Sequence, residues 1–235
     1  MSHIHPQKQG LMLSSRASLA FPIVLLVCLM PSCLYAWNSS ETEIVLKKME
    51  AAYAEVNDYQ ANMEVRTYQR DGSFETKKFL YTFKKPKWIR LDFESPHSGM
   101  IMVYPDKNGK VMLRRFFTLH LAPDNLLLRV DSGQRIDQTD LGLLIRNIAH
   151  SLTDHRRGPV EATEDDGELR LRVLADDHFR EGALTRYQIL IDKKLWLPVE
   201  LEESTADGHL ERTVIFRNLR TNIGVPDRFF QLDEG

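Results

Sequence analysis

By residue type, the pair best suited to hold a metal ion is His150 and His155, which flank Ser-Leu-Thr-Asp. Two histidines that share an ion on one helix face stand four apart. A gap of five turns them away from each other, and as cations near a helix end they suit the negative end of its dipole. Asp165-Asp166 and Asp176-Asp177 are paired carboxylates, the residue type for general acid–base work. Both pairs sit among turn formers, where Asp serves through hydrogen bonds to its own backbone. Asp154 lies beside His155 with no nucleophile motif near it. The chain carries no G-x-S-x-G, H-E-x-x-H, glycine-rich phosphate loop or C-x-x-C. The sequence therefore reads as a non-enzyme with no cofactor and no metal.

Composition bounds the partners. Of 235 residues, 43% are apolar and 27% charged, which suits a globular chain with a real core. The formal net charge of −2 offers no electrostatic footprint for a nucleic acid.

The first 36 residues form a graded segment. Lys8 and Arg16 precede an uncharged apolar run, residues 17–30, and Ala36 follows as a small residue suited to precede cleavage. About 14 apolar residues suit a secretory signal better than a membrane span. The expectation is a signal peptide over 1–36 and one domain over 37–235, exported to the periplasm. Removing 1–36 takes away two cations and no acid, so the net charge becomes −4. Both cysteines, Cys28 and Cys33, lie in this segment, so the domain has no disulfide. Cys33 in Leu-Met-Pro-Ser-Cys also leaves open an alternative, lipid anchoring through that thiol.

The remaining chain alternates in ways that dictate its elements. Residues 40–58 carry Val45, Met49, Ala52, Tyr53 and Val56 on one helix face. Alternating strands follow, joined by turns at Arg70-Asp71-Gly72-Ser73 and Asn108-Gly109. Residues 118–136 break the rhythm at Pro123 and Gly133. A second helix bears the stripe Leu141, Leu144, Ile145, Ile148 and Leu152, with Asp137 or Thr139 as its cap. About five more strands then turn at Asp165-Asp166-Gly167, Asp192-Lys193-Lys194 and Ala206-Asp207-Gly208. The expected fold is α+β: a single curved antiparallel sheet of roughly eight to ten strands, an open half-barrel with helices over its concave face.

One face of that sheet is unusually rich in aromatic and Met side chains. Met63, Phe79, Tyr81, Phe83, Ile89, Leu91, Phe93, Met100, Met102, Val111 and Leu113 share it, with Trp88, Arg90 and Asp92 pointing outward. Such a face serves either as an ordinary core or as the wall of a cavity for irregular apolar ligands.

The order of helix, Asp58–Arg66, Phe83-Lys84-Lys85-Pro86-Lys87-Trp88, Thr139-Asp140-Leu141-Gly142 and a late Pro226-Asp227-Arg228-Phe229-Phe230 resembles the LolA-like superfamily of exported proteins. The resemblance covers roughly residues 42–232. It implies an open β-barrel with a helical lid that shelters acyl chains of lipoproteins or lipids during outer-membrane sorting. It also implies inner- and outer-membrane protein partners, or, for relatives of the same fold, an envelope interaction or stress-sensing role. On this resemblance Leu143, Leu144 and Ile148 of the lid become ligand contacts, and Lys85, before the proline, becomes the lid latch.

Overall fold

Runs of residues with a period of two make strands, and the computed structural model describes them within residues 35–37, 39–128, 134–153, 158–165 and 167–232. All of these fall in one compact unit, Cys33–Gly235. His155, Asp154 and Asp166 lie outside the described residues, as do Cys28 and Cys33.

The first helix, α1 (Ser39–Ala54), buries Val45, Leu46 and Met49. It is shorter than the expected 40–58. Val56 N–H donates to the Tyr53 carbonyl in a turn, and Asp58 already opens the next strand. Six strands then run as a meander: β2 (Asp58–Tyr68), β3 (Phe74–Lys84), β4 (Trp88–Ser95), β5 (Ile101–Tyr104), β6 (Val111–Arg114) and β7 (Thr118–Leu121). The second helix, α2 (Leu141–Thr153), separates them from a second meander: β8 (Val160–Asp165), β9 (Glu168–Asp176), β10 (Leu184–Asp192), β11 (Leu197–Thr205) and β12 (Leu210–Thr221). Asp165 opposes Glu168, which leaves a two-residue connection whose Gly167 takes φ 89, the conformation such a turn requires.

Pairing of β12 with β2 joins the two meanders, with Phe216 opposite Met63 and Val214 opposite Val65. With β1 (Tyr35–Trp37) at one edge, the result is one antiparallel sheet of twelve strands in the order β1-β8-β9-β10-β11-β12-β2-β3-β4-β5-β6-β7. Two strands exceed the expected number. One is β7, in the segment whose rhythm breaks. The other is β1 (Tyr35–Trp37), which pairs with β8; Ala36, the expected cleavage site, lies opposite Glu161.

The face opposite the helices departs from the simple outward, wet reading. Trp88, Arg90 and Asp92 do point outward, but the C-terminal segment covers Trp88 and Arg90, and Asp92 pairs with Arg90. Trp88 packs its ring against Phe230, with Val103 and Met112 joining Val225 and Leu232 in a second apolar cluster. Arg90 Nη1 donates to the Phe229 carbonyl at 2.7 Å, and its guanidinium lies over the Phe229 ring. Asp58 fastens the start of this segment. Its carboxylate accepts from the backbone N–H groups of Ile223, Gly224 and Val225 at 2.7, 3.1 and 3.1 Å.

The cap of α2 is Asp140 rather than Asp137 or Thr139: its Oδ1 accepts from Leu143 N–H at 2.9 Å. Thr139 instead donates to the Ile136 carbonyl and closes a short 3-10 turn (Ile136–Gln138). Gly142 lets the two helices meet, since a Cβ there would stand 2.5 Å from the Tyr53 ring.

Candidate functional site

A cavity of about 340 Å³ lies between α2 and the sheet. Leu113 of β6 and Tyr187 of β10 both line it, although β10-β11-β12-β2-β3-β4-β5-β6 places them seven strands apart. Laid flat, that separation is roughly 34 Å at about 4.8 Å per strand. The sheet must therefore curl, and its two halves face one another across the hollow. This is the curved, open half-barrel with helices on the concave side that the sequence predicts.

Of the side chains expected at a ligand site, Met63, Phe79, Tyr81, Leu91, Phe93, Met100, Met102, Leu113, Leu144 and Ile148 line this cavity. Phe83, Ile89 and Val111 do not; they are fully buried in the main core. Register explains the split. Phe79 opposes Phe93, Tyr81 opposes Leu91, and Phe83 opposes Ile89. The hollow follows the first two pairs and stops short of the third. Leu143 also lies off the cavity, because the face of α2 turned to it carries Leu144, Asn147, Ile148 and Ser151 at helical spacing.

The cavity extends to one end of the sheet. β2, β4 and β6 run in the same direction, so the turns that follow them, residues 69–73, 96–100 and 115–117, gather at that end. Exposed His97, in the 96–100 turn, lines the hollow there, so it opens to solvent.

Tyrosines tie down the other end of α2. Tyr59 Oη accepts from Leu141 N–H at 3.0 Å, and Tyr81 Oη lies 3.1 Å from Thr139 Oγ1. Because the Thr139 hydroxyl donates to Ile136, Tyr81 is the donor in that pair. Burial raises both phenols well above their ordinary range and pushes Tyr53 up to about 12, so all three stay neutral donors and acceptors. The end of α2 nearest the mouth is held differently. Ser151 Oγ lies 2.9 Å from His178 Nε2, and the His178 ring stacks on Tyr187 at 5.0 Å. Burial lowers the His178 pKa, and the neighbouring His150 lowers it further.

Lys85 latches α1 rather than α2. Its Nζ donates to the carbonyls of Tyr53 and Ala54, at 3.1 and 2.9 Å, at the C-terminal end of that helix. A cation there satisfies orphan carbonyls and the negative end of the dipole. Its Nζ also lies 4.9 Å from the centre of the Tyr53 ring, which meets Gly142 of α2.

Much of the cavity wall lies outside the predicted set. Tyr187, Ile189, Leu201, Val214 and Phe216 come from β10–β12. Their alternation is plain in the sequence, but only the curl of the sheet turns them toward the first meander. The polar wall members Glu203 and Arg212 have no sequence signal beyond a charge on each of two strands. Among the described residues, no three His, Cys, Asp or Glu side chains gather as a metal site.

No family model and no curated protein matches the chain. Solved structures do. The chain is similar to a DUF1329 family protein from Desulfovibrio piger, at 10% identity and a TM-score of 0.47, over 82% of this chain and 96% of that one. It is similar to a LolA superfamily protein from Nitrosomonas europaea, at 13% identity and a TM-score of 0.39, over 81% and 97%. It is similar to MucB in the Pseudomonas aeruginosa MucA/MucB complex, at 18% identity and a TM-score of 0.42, over 82% and 61%.

Proposed function

We propose that the chain is an exported, non-enzymatic shelter for acyl chains of lipids or lipoproteins. The observation that carries this function is the apolar cavity, enclosed by the curled sheet and α2 and open at one rim. Its volume falls in the ~300–1,000 Å³ range of small-molecule sites. Aromatic, Met and branched aliphatic side chains supply most of its surface, and such walls adapt to chains without fixed polar features.

The physical need for a shelter is large. At ~0.8 kcal/mol per methylene, holding a roughly 16-carbon chain in water costs on the order of 12 kcal/mol. A carrier must offset most of that cost yet release its cargo. Non-directional apolar contact does this better than a set of hydrogen bonds, which would be lost abruptly on release.

Leu91 faces the cavity from the middle of β4, so a charge at this position tests the wall. Titration of a fluorescent fatty acid should saturate the parent chain. Leu91→Glu, shown by circular dichroism to be folded, should lose that binding by at least about tenfold. Binding unchanged in the folded variant contradicts an acyl site at this wall. Export with removal of residues 1–36 belongs to the same proposal. Mass analysis of the mature N-terminus should find Trp37 first, and a diacylated Cys33 contradicts it.

A further inference from the structure

The four most exposed large apolar side chains among the described residues are Phe116, Phe117, Leu126 and Leu127. Phe116 is 86% exposed and Phe117 67%, at the tip of the β6–β7 turn, and Leu126 and Leu127 follow at 76% and 80%. A folded chain gains nothing by leaving two adjacent phenylalanines in water at a hairpin tip. Arg114 ends β6 and Arg115 opens the turn, and the Arg115 guanidinium lies 5.1 Å from the centre of the Phe116 ring.

Position gives this tip its meaning. The 115–117 turn lies at the end of the sheet where the cavity opens. Leu127, itself 80% exposed, is also part of the cavity lining, so the hollow presents apolar surface to solvent. Phe74, 56% exposed beside the 69–73 turn, stands at the same end.

We propose that the Phe116–Phe117 tip docks the open rim of the cavity onto an anionic phospholipid bilayer. Three features select a lipid surface as the occupant. The tip is convex, so it enters a deformable medium more readily than it fills a groove. Aromatic rings with neighbouring guanidinium groups match the bilayer interface, where rings sink to the acyl boundary and cations stay with the phosphates. The cation at this tip complements negative lipid, although the chain as a whole is acidic. Seating the rim on lipid gives an acyl chain an entry path that does not cross water. That purpose rests on the acyl-shelter function, but the docking itself does not.

The full-length chain should be tested on vesicles of phosphatidylethanolamine with phosphatidylglycerol, and on phosphatidylcholine alone. Because its N-terminal apolar run can bind vesicles by itself, the decisive signal must come from the tip. Phe116→Trp, read as the difference from the parent chain, should show blue-shifted emission and quenching by brominated lipid on the anionic vesicles. Phe116→Ser with Phe117→Ser should weaken binding to anionic vesicles on the order of tenfold, and Arg115→Glu should do so on anionic but not on neutral vesicles. Both variants lie at an exposed turn and should keep the parent's circular dichroism and its fatty-acid binding in solution. Emission from the Phe116→Trp variant that brominated lipid leaves unquenched, or double-serine binding equal to the parent, overturns the proposal. So does light scattering in which a parent dimer becomes a monomer in the double-serine variant, because the occupant is then a second copy. Retained docking with no fatty-acid binding would instead overturn the acyl shelter and leave the docking intact.

Discussion

Arg212 donates through Nε and Nη2 to the two carboxylate oxygens of Glu203, at 2.9 and 2.7 Å, and both side chains are buried in the cavity wall. Nη1 also donates to Gln134 at 3.1 Å, so the pair ties β11 and β12 to the segment before α2. Removing one partner strands the other's charge in a poorly solvated place, whereas replacing both with apolar groups does not. Glu203→Gln should lower unfolding free energy by about 3 kcal/mol in urea denaturation. Glu203→Met with Arg212→Met should stay within about 1 kcal/mol of the parent. A Glu203→Gln variant as stable as the parent would show that the pair carries little of the fold.

Asp58 holds three successive backbone N–H groups of the segment that covers the outer face. Charge-assisted hydrogen bonds of this kind are each stronger than neutral ones. Asp58→Ala should cost about 3 kcal/mol of stability. Hydrogen exchange should quicken at residues 223–225 before it does in the central strands. Uniform exchange across the sheet would contradict a local clamp.

His178 gives the C-terminal end of α2 a pH dependence of definite sign. Burial, with His150 beside it, lowers its pKa in the folded chain below the ordinary 6.5, while Asp177 opposes this. The unfolded chain thus takes up a proton first as pH falls, and stability drops through and below the region near 6.5. The urea midpoint should fall between about pH 7.5 and about pH 5.5, and by less in His178→Gln. An equal fall in both would remove His178 as a contributor.

How much of this is legible in the sequence depends on what each pattern encodes. Alternation in Phe79, Tyr81, Phe83 and Ile89, Leu91, Phe93 reveals which face is dry, but not where along the strands a solid core gives way to a hollow. That boundary is set by how far the helices reach over the sheet. The same alternation makes Trp88, Arg90 and Asp92 look wet, because a period of two cannot distinguish solvent from a covering tail. Strand β1 has only three residues, too few to show a period, and β7 follows a turn with exposed side chains. Leu46 falls outside the Val45–Met49 stripe yet is buried, because the buried face of α1 is broader than one stripe. Asp140 does not stand out as a cap because Asp137 and Thr139 offer the same chemistry within three residues. Tip residues Phe116 and Phe117 read as strand, since their exposure follows from a reversal with no Gly or Pro to announce it.

Native mass spectrometry of the chain purified gently from the exported compartment tests the central claim most directly. The cavity, its open rim and its apolar wall lead us to expect a population heavier than the polypeptide by the mass of one lipid or lipopeptide, lost in Leu91→Glu. A uniformly apo mass with a stably bound protein partner would contradict an acyl shelter and favour an interaction module of the same fold.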